Sequence, residues 1–452
     1  MQNVTLRNEL RSMLKLAGPV VLAEVGWVTM ALVDTAIVGP LGPEAIGAVG
    51  IGSILFLALA IFGMGLLLGL ETLVSHAYGA GRLDECHRWL LHGITLSLLA
   101  TPVLTAVAVA LVLLLPSWGL QPEVLALTVP YLKVITWSLL PLLLYASFRR
   151  YLQALGLVVP ITVALVSANV INAVAAWALV YGHFGLPMMG ATGSAVATLV
   201  SRIYLAAALL VAVVSYDRRH QISLFSVAWK PKRKSLSRLL RLGLPAATQV
   251  TVELGVFAAA SALAGRLDAV SLASHQIALN LASLTFMVPL GVASAGAVRV
   301  GHAMGRRDVA GAAVAGRAAL LIGVAFMATA ALAFVLVPRP LIGMFTSSEA
   351  VFALCRRLLI VAAMFQIFDG LQGVSTGLLR GLGDTRTPMI GNLAGHWLLG
   401  LPIGYALCFR SGWGVVGLWA GLSAGLIVIG IALAIAWHRR ISALGIESVE
   451  VT

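Results

Sequence analysis

Twelve long stretches of this chain are nearly free of charge, and they restrict its fold more than any other feature. Each is about as long as the ~20 residues that an α-helix needs to cross a bilayer, or longer. The alternation of apolar and polar residues that marks a membrane β-barrel is absent from them. The sequence therefore predicts an all-α membrane protein with twelve transmembrane helices. The predicted spans are residues 16–38, 47–76, 89–115, 124–148, 157–181, 190–214, 239–264, 270–298, 313–337, 351–378, 387–409 and 414–437.

The overall composition excludes a soluble protein. Apolar residues make up 60% of the chain, charged residues only 10%, and the mean hydropathy is +0.99. A soluble fold with this balance would expose large apolar patches.

The placement of the basic residues indicates orientation rather than a nucleic-acid partner. The net charge is +13, and the Lys and Arg residues outside the spans or near their ends divide 23 to 5 between the two sides of the membrane, with Lys133 and Arg202 left uncounted. The richer side is expected to face the cytoplasm, which places both termini there. Basic residues also precede the first apolar run, as in a signal peptide, but that run is too long for one, so we expect a retained helix.

The two halves of the chain repeat one another. Residues such as Pro19 and Pro245, or His76 and His302, are separated by 226 residues, half of the 452-residue chain. Six spans per copy is an even number, so the copies should be parallel repeats with a substrate cavity at their interface. We predict an N-terminal bundle over 1–214, a basic cytoplasmic linker over 215–238 and a C-terminal bundle over 239–452.

Three acids are predicted to lie deep in the membrane. Asp34 is in the first span, Glu253 in the seventh and Asp369 in the tenth. A charge at the centre of a membrane helix costs roughly 2.5–3.5 kcal/mol on insertion scales, so these residues should face a wet interior. We expect all three to line one water-filled vestibule between the bundles.

None of these acids is copied in the other repeat. Asp34 corresponds to Ala260, Glu253 corresponds to Trp27, and Asp369 aligns near a leucine. The scaffold is therefore duplicated while the acids are not, which indicates different chemical roles for the two bundles.

The residues alone leave the roles of the acids open. Each acid could be a structural partner of a nearby amide, and the candidates are Asn172, Gln276, Asn280, Gln366 and Gln372. Desolvation favours the neutral form of a carboxyl group, which suits proton exchange. Coordination of a cation such as Na+ by Glu253 and Asp369 with amide and carbonyl oxygens is equally consistent.

Motifs for an enzyme or an ATP-driven pump are missing from the sequence. There is no phosphate-binding loop, and the glycines at 63, 65 and 69 lie inside an apolar span, where they are expected to pack helices. Cys86, Cys355 and Cys408 are scattered without metal-ligand spacing. His275 and His396 could titrate, but we expect packed polar contacts for both. We expect no enzymatic activity and no cofactor.

Several motifs occur along the chain at the predicted spans. They are DTAIVG at 34–39, ETL at 71–73, YGA at 78–80, GATGSAVAT at 190–198, the stretch 274–305, and FQIFDG at 365–370 followed by LLRGLGDTRTP. In this order they resemble the multidrug and toxic compound extrusion (MATE) family, and the second half looks most like its NorM branch. The resemblance covers essentially the whole chain.

The resemblance implies two six-helix bundles that form a V around a central cavity. It also implies alternating-access exchange of cationic amphiphilic compounds for H+ or Na+. Asp34 would correspond to the ion or proton site of the N-terminal bundle, with Asn172 beside it. Glu253 and Asp369 would correspond to the cation-site acids of the C-terminal bundle. The chain departs from the family at Ala176, where many members have Asn or Asp, and Asn169 is a possible substitute.

The leading hypothesis is a multidrug exporter of the bacterial cytoplasmic (inner) membrane. The acids would attract organic cations, and Phe257, Phe286 and Phe368 would add cation–π contact. We expect the predicted substrate cavity to be lined by these rings, Asp34 and four amides: Gln276, Asn280, Gln366 and Gln372. We expect a monomer whose partners are these small molecules and membrane lipids. The alternative is a flippase for lipid-linked precursors, which usually needs cationic side chains in its cavity. A channel is disfavoured because the duplication offers no continuous polar lining.

Overall fold

The computed structural model of the chain describes residues 6–220 and 232–450. The ends of the predicted basic linker, 215–238, belong to helices on either side. Its central residues, 221–231, lie outside the described part of the chain. The domain limits predicted from the sequence stay a prediction.

The first repeat consists of eight helices and short connections. Leu67 interrupts the second span, and Trp137 and Ser138 interrupt the fourth. The helices are α1 (Leu6–Val38), α2 (Pro43–Leu66), α3 (Leu68–Gly79), α4 (Leu83–Leu114), α5 (Pro122–Thr136), α6 (Leu139–Ala154), α7 (Val159–Tyr181) and α8 (Ala191–His220).

The second repeat has longer uninterrupted helices and one helix that changes its winding. Residues 393–400 and 406–410 are π-helical turns within a helix that runs from 386 to 410. The helices are α9 (Arg233–Ala264), α10 (Ala269–Gly305), α11 (Val309–Leu336), α12 (Pro338–Gly343), α13 (Glu349–Leu382), α14 (Arg386–Asn392), α15 (Leu401–Tyr405) and α16 (Gly414–Glu450).

The described residues contain ten or eleven apolar helical spans. Ten continuous helical stretches are long and apolar enough to cross a membrane, and α5 with α6 forms an eleventh that bends by 44°. The helix from 386 to 410, where a further span was predicted, has no Lys, Arg, Asp or Glu between Arg386 and Arg410. The prediction of an all-α membrane protein is confirmed.

The helix boundaries repeat with the same offset as the sequence. Loop positions and span lengths were therefore duplicated together with the residues. At an offset of 226, the end of α1 at Val38 matches the end of α9 at Ala264, the start of α2 at Pro43 matches that of α10 at Ala269, and the start of α4 at Leu83 matches that of α11 at Val309.

The compact units of the fold do not coincide with the two repeats. One unit, here the N unit, comprises residues 22–247, and the other, the C unit, comprises 1–21 and 248–452. The boundaries therefore fall inside α1 and inside α9, at positions that are equivalent in the repeat. Each unit is completed by the beginning of the other repeat's first helix.

Two glycines at equivalent positions of the repeat pack against α1 and α9 near the points where the unit boundaries cross these helices. A Cβ atom at Gly65 would collide with the backbone of Ala247, and one at Gly291 would collide with Val21. The two pairs are related by the 226-residue offset, and each pair lies within one unit. Within the C unit, Arg299 also donates to both carboxylate oxygens of Glu9, at 2.7 and 2.5 Å.

Glycines also set the spacing between α16 and the helix from 386 to 410, which is called the π-helical segment below. Gly421 and Gly425 of α16 face the backbone of Gly400 and Gly404, and none of the four has room for a side chain towards its neighbour. Small residues permit close helix contact in lipid, where no hydrophobic force drives association.

We predict that Gly421→Ala destabilises the protein. The methyl group would meet the backbone of Gly404, which cannot move aside as a side chain can. Overpacking of this kind costs about 1–3 kcal/mol and should lower the melting temperature in detergent. The control is Gly50→Ala, where a Cβ atom meets nothing within 4 Å. Alanine should be neutral or stabilising there. Equal melting temperatures for the two variants would contradict the proposed packing.

Candidate cation-binding sites

Two of the three predicted acids share a cavity inside the C unit. Glu253 of α9 and Asp369 of α13 both line a cavity of about 120 Å³. That volume holds several water molecules, but it is smaller than the ~300–1,000 Å³ pockets that take drug-sized ligands. The cavity as it stands fits a hydrated ion better than an organic cation.

The charges around this cavity are unbalanced. The carboxylates of Glu253 and Asp369 repel one another, and Asp369 is only 8% exposed. No Lys or Arg lines the cavity. The arrangement therefore favours an added proton or a bound cation, either of which would relieve the repulsion.

The π-helical segment holds α9 at the level of Glu253. The indole nitrogen of Trp397 donates to the backbone oxygen of Val252 at 3.0 Å. The ring of Trp397 lies 3.2 Å from where a Cβ atom of Gly255 would be. Gly255 therefore leaves space for the indole, and the residues on both sides of Glu253 contact Trp397. Such π turns are frequent at functional sites.

Two histidines line the same cavity, and they differ in their hydrogen bonding. His275 has both ring nitrogens engaged: Nδ1 accepts from the indole of Trp419 at 2.9 Å, and Nε2 lies 2.9 Å from the Ser261 hydroxyl. Because Nδ1 accepts, His275 is neutral in this arrangement. His396 packs its ring against Phe257, and its buried Nδ1 has no hydrogen-bond partner among the described residues.

Aromatic residues form much of the wall of this cavity. Phe257 and Phe286 line it, whereas Phe368 does not. The predicted role of these three residues in a substrate cavity between the bundles stays a prediction. Phe365 and Trp419 line it and were not predicted as cavity residues. Phe365 stands three residues before Phe368 on α13. Only the packing of α13 against α16 decides which of the two rings reaches the cavity.

The predicted amides lie apart from the cavity lining. Gln276 and Asn280 are exposed. Gln366 donates to the hydroxyl of Thr285 at 2.8 Å, and Gln372 donates to Asn392 at 3.1 Å. Their roles in the substrate cavity stay predictions.

The third acid, Asp34, belongs to the N unit. The hydroxyl of Thr198 on α8 donates to Oδ2 of Asp34 at 3.1 Å, while Oδ1 is buried without a partner among the described residues. Asn172 is fully buried, and neither polar atom of its side chain has a hydrogen-bond partner among the described residues. Its place beside Asp34 stays a prediction. Ala176, the departure from the family pattern, is also fully buried. Asn169 donates to the backbone of Leu165 instead.

Sequence reasoning missed the partners of Asp34 on α8. Thr198 lies within the GATGSAVAT motif, so the motif could have pointed to it. Arg202 is one turn further along, and its charge interacts with Asp34. It is only 8% exposed, so it is a buried cation.

Comparison with known proteins decides the family. The MatE family model matches residues 19–178 and 245–406, one match in each repeat. The chain belongs to the MATE family. It is therefore a multi-pass membrane transporter of the multidrug efflux class, and not an enzyme.

Curated relatives point to the NorM branch of the family. The chain is 36% identical to the "Probable multidrug resistance protein NorM" of Mesorhizobium japonicum over 441 residues, with 96% of this chain and 94% of that protein covered. It is also 36% identical to the "Multidrug resistance protein NorM" of Burkholderia vietnamiensis over 438 residues, with 95% and 94% covered.

Solved structures of the MATE family share the fold. The eukaryotic MATE transporter AtDTX14 matches with a TM-score of 0.84 and 21% identity, over 97% of this chain and 98% of that one. A MATE structure in the bent conformation matches with a TM-score of 0.87 and 20% identity, over 98% of each chain.

The acids and histidines of the cavity do not form a metal site by themselves. Among the described residues, no group of three or more His, Cys, Asp and Glu side chains could hold a metal ion. A Na+ site built on Glu253 and Asp369 would therefore need further ligands such as backbone carbonyls, hydroxyls or water. It stays a prediction.

We predict that Asp369→Asn stabilises the ligand-free protein. The substitution removes a buried charge and its repulsion with Glu253, a gain on the order of 1–3 kcal/mol. The melting temperature in detergent should rise, and rise most at a pH that ionises both acids.

The control for this variant is Asp268→Asn at the start of α10. Oδ1 of Asp268 accepts from the backbone nitrogen of Ser271 at 2.8 Å, and Oδ2 accepts from its hydroxyl at 2.7 Å. These bonds hold the pKa of Asp268 below its usual value. Asn caps helices about as well as Asp, so little change is expected. A lower melting temperature for Asp369→Asn would contradict the unbalanced cavity.

Proposed function

We propose that this protein exports cationic amphiphilic compounds in exchange for inward H+ or Na+, by alternating access. The observation that carries the proposal is the cavity of the C unit, which combines the carboxylates of Glu253 and Asp369 with aromatic walls and, among the described residues, has no Lys or Arg in its lining. Carboxylates attract the charge of an organic cation, and Phe257, Phe286, Phe365 and Trp419 offer ring faces to its apolar body.

Competition for the same carboxylates would give the exchange. A proton or a Na+ ion neutralises Glu253 and Asp369, and the site then loses its attraction for an organic cation. A bound organic cation in turn lowers the affinity for the coupling ion, because such coupling is reciprocal. We propose that the coupling ion favours one access state and thereby releases the organic cation outward.

The small size of the cavity constrains the cycle. A cavity of about 120 Å³ accommodates ions and water rather than a drug. The organic cation would therefore bind in a more open state, and the described state would be one in which coupling ions occupy the acids. Asp34 and Asn172 would form a second coupling site in the N unit.

We propose that the protein lies in the bacterial cytoplasmic membrane with both termini in the cytoplasm. The 23 to 5 distribution of basic residues supports this orientation. The flippase alternative gains no support from the C-unit cavity, because no Lys or Arg lines it to receive a phosphate.

The test is transport by purified protein in liposomes, with ethidium as the organic cation and with pH and Na+ gradients imposed separately. Glu253→Gln and Asp369→Asn should each abolish gradient-driven ethidium transport, because each removes a negative charge that both cations need. The gradient that drives transport by the unmodified protein identifies the coupling ion.

Glu349→Gln is the matched control for the transport test. Glu349 lies on the same helix as Asp369 but in its exposed first turn, so the rate should stay at the level of the unmodified protein. Ethidium transport by Glu253→Gln and Asp369→Asn at that same rate would remove these acids from the mechanism.

A further inference from the structure

Arg202 is a guanidinium buried among helices of the N unit. Its Nη1 donates to the hydroxyl of Ser138 at 2.5 Å, at the break between α5 and α6. Its Cζ lies 4.4 Å from the centre of the Phe56 ring. Its Nε has no partner among the described residues. Neither neighbour carries a charge, and a buried cation needs an anion nearby to offset its desolvation.

Asp34 is the acid placed to provide that charge. Thr198, which donates to Asp34, precedes Arg202 by one helical turn on α8. Side chains on a helix lean towards its N-terminus, so Arg202 leans towards the turn that contacts Asp34. The two charges interact without forming a direct ion pair.

Two other acids within the spans of this unit already have partners. Glu24 pairs with Arg149, and Glu71 pairs with Arg150 at 2.9 Å. Asp217 is also buried on α8, but it lies about four helical turns beyond Arg202. Asp34 is the acid whose contact on α8, Thr198, lies within one turn of Arg202.

The repeat shows that the two charges of this site occur together in one half only. Asp34 corresponds to Ala260, and Arg202 corresponds to Ile429 at the offset of 227 that applies to α8 and α16. The C unit has the opposite pattern, since Glu253 and Asp369 line its cavity with no basic residue. One unit holds an acid with its own cation, and the other holds two acids without one.

We propose that Arg202 is the built-in counter-charge of Asp34 and that it keeps Na+ and organic cations from binding there. This inference rests on the proposed function and restricts it: cations other than the proton bind at Glu253 and Asp369 alone. A proton can still exchange at Asp34, because a neutral acid beside Arg202 adds no positive charge to the site.

The test is equilibrium binding of two probes, Na+ and tetraphenylphosphonium, to the purified full-length protein in detergent. Arg202→Gln should create a second class of sites for at least one probe, and this class should disappear in the Asp34→Asn/Arg202→Gln double variant. Arg202→Lys keeps the charge and should bind like the unmodified protein. A structural role alone would not create a new site.

The outcomes separate this inference from the proposed function. If tetraphenylphosphonium binds the unmodified protein and loses that binding in Asp369→Asn, but Arg202→Gln gains no site for either probe, the inference is wrong. If the unmodified protein binds no tetraphenylphosphonium, or Asp369→Asn leaves that binding intact, the proposed function fails instead.

Thermal unfolding covers the case in which Arg202→Gln does not fold. Asp34→Asn and Arg202→Gln each leave one buried charge, so each should lower the melting temperature. The double variant removes both charges and should melt higher than Arg202→Gln alone. The pairing would be wrong if the melting temperature of the double variant fell by the sum of the two single decreases. It would also be wrong if the double variant were as unfolded as Arg202→Gln.

Discussion

The cost of an ionised side chain in a water-poor membrane interior is the constraint on which the rest of this structure depends. In the N unit, arginines offset the deep acids: Arg149 and Arg150 pair directly with Glu24 and Glu71. In the C unit, two acids face one small cavity and nothing basic lines it. A carboxylate pair in that setting is stable only when a proton or a cation joins it. Glu253 and Asp369 are therefore the acids of the C unit that are available to bind a proton or a cation.

Duplication explains why the two halves share helix boundaries and close-contact glycines, whereas later divergence explains why their acidic residues differ. Helix boundaries and the glycines at close contacts recur at the same offset, because a Cβ atom at Gly65 or Gly291 would collide with the helix it receives. The acids are not under that steric constraint and differ between the halves. The compact units also exchange the beginnings of their first helices. The physical unit of packing therefore takes part of its core from the other repeat.

The site of the C unit combines rigid and adaptable parts. Trp397 of the π-helical segment contacts α9 on both sides of Glu253. Glycines allow the same segment to pack closely against α16. His275 is held neutral by Trp419, whereas His396 keeps a buried nitrogen without a partner among the described residues. The cavity that the acids line therefore contains one histidine fixed by hydrogen bonds and one whose Nδ1 has no partner among the described residues.

The sequence by itself determined the all-α membrane fold class, the duplication and the three uncopied acids, and its motifs pointed to the family. Hydropathy and spacing can be read along the chain, and the first three conclusions follow from them. Only the tertiary structure decided which residues meet: that Thr198 contacts Asp34, that Phe365 rather than Phe368 reaches the cavity, and that the units divide inside α1 and α9. These contacts join residues far apart in the chain, and they depend on how helices rotate and pack, which no local pattern specifies.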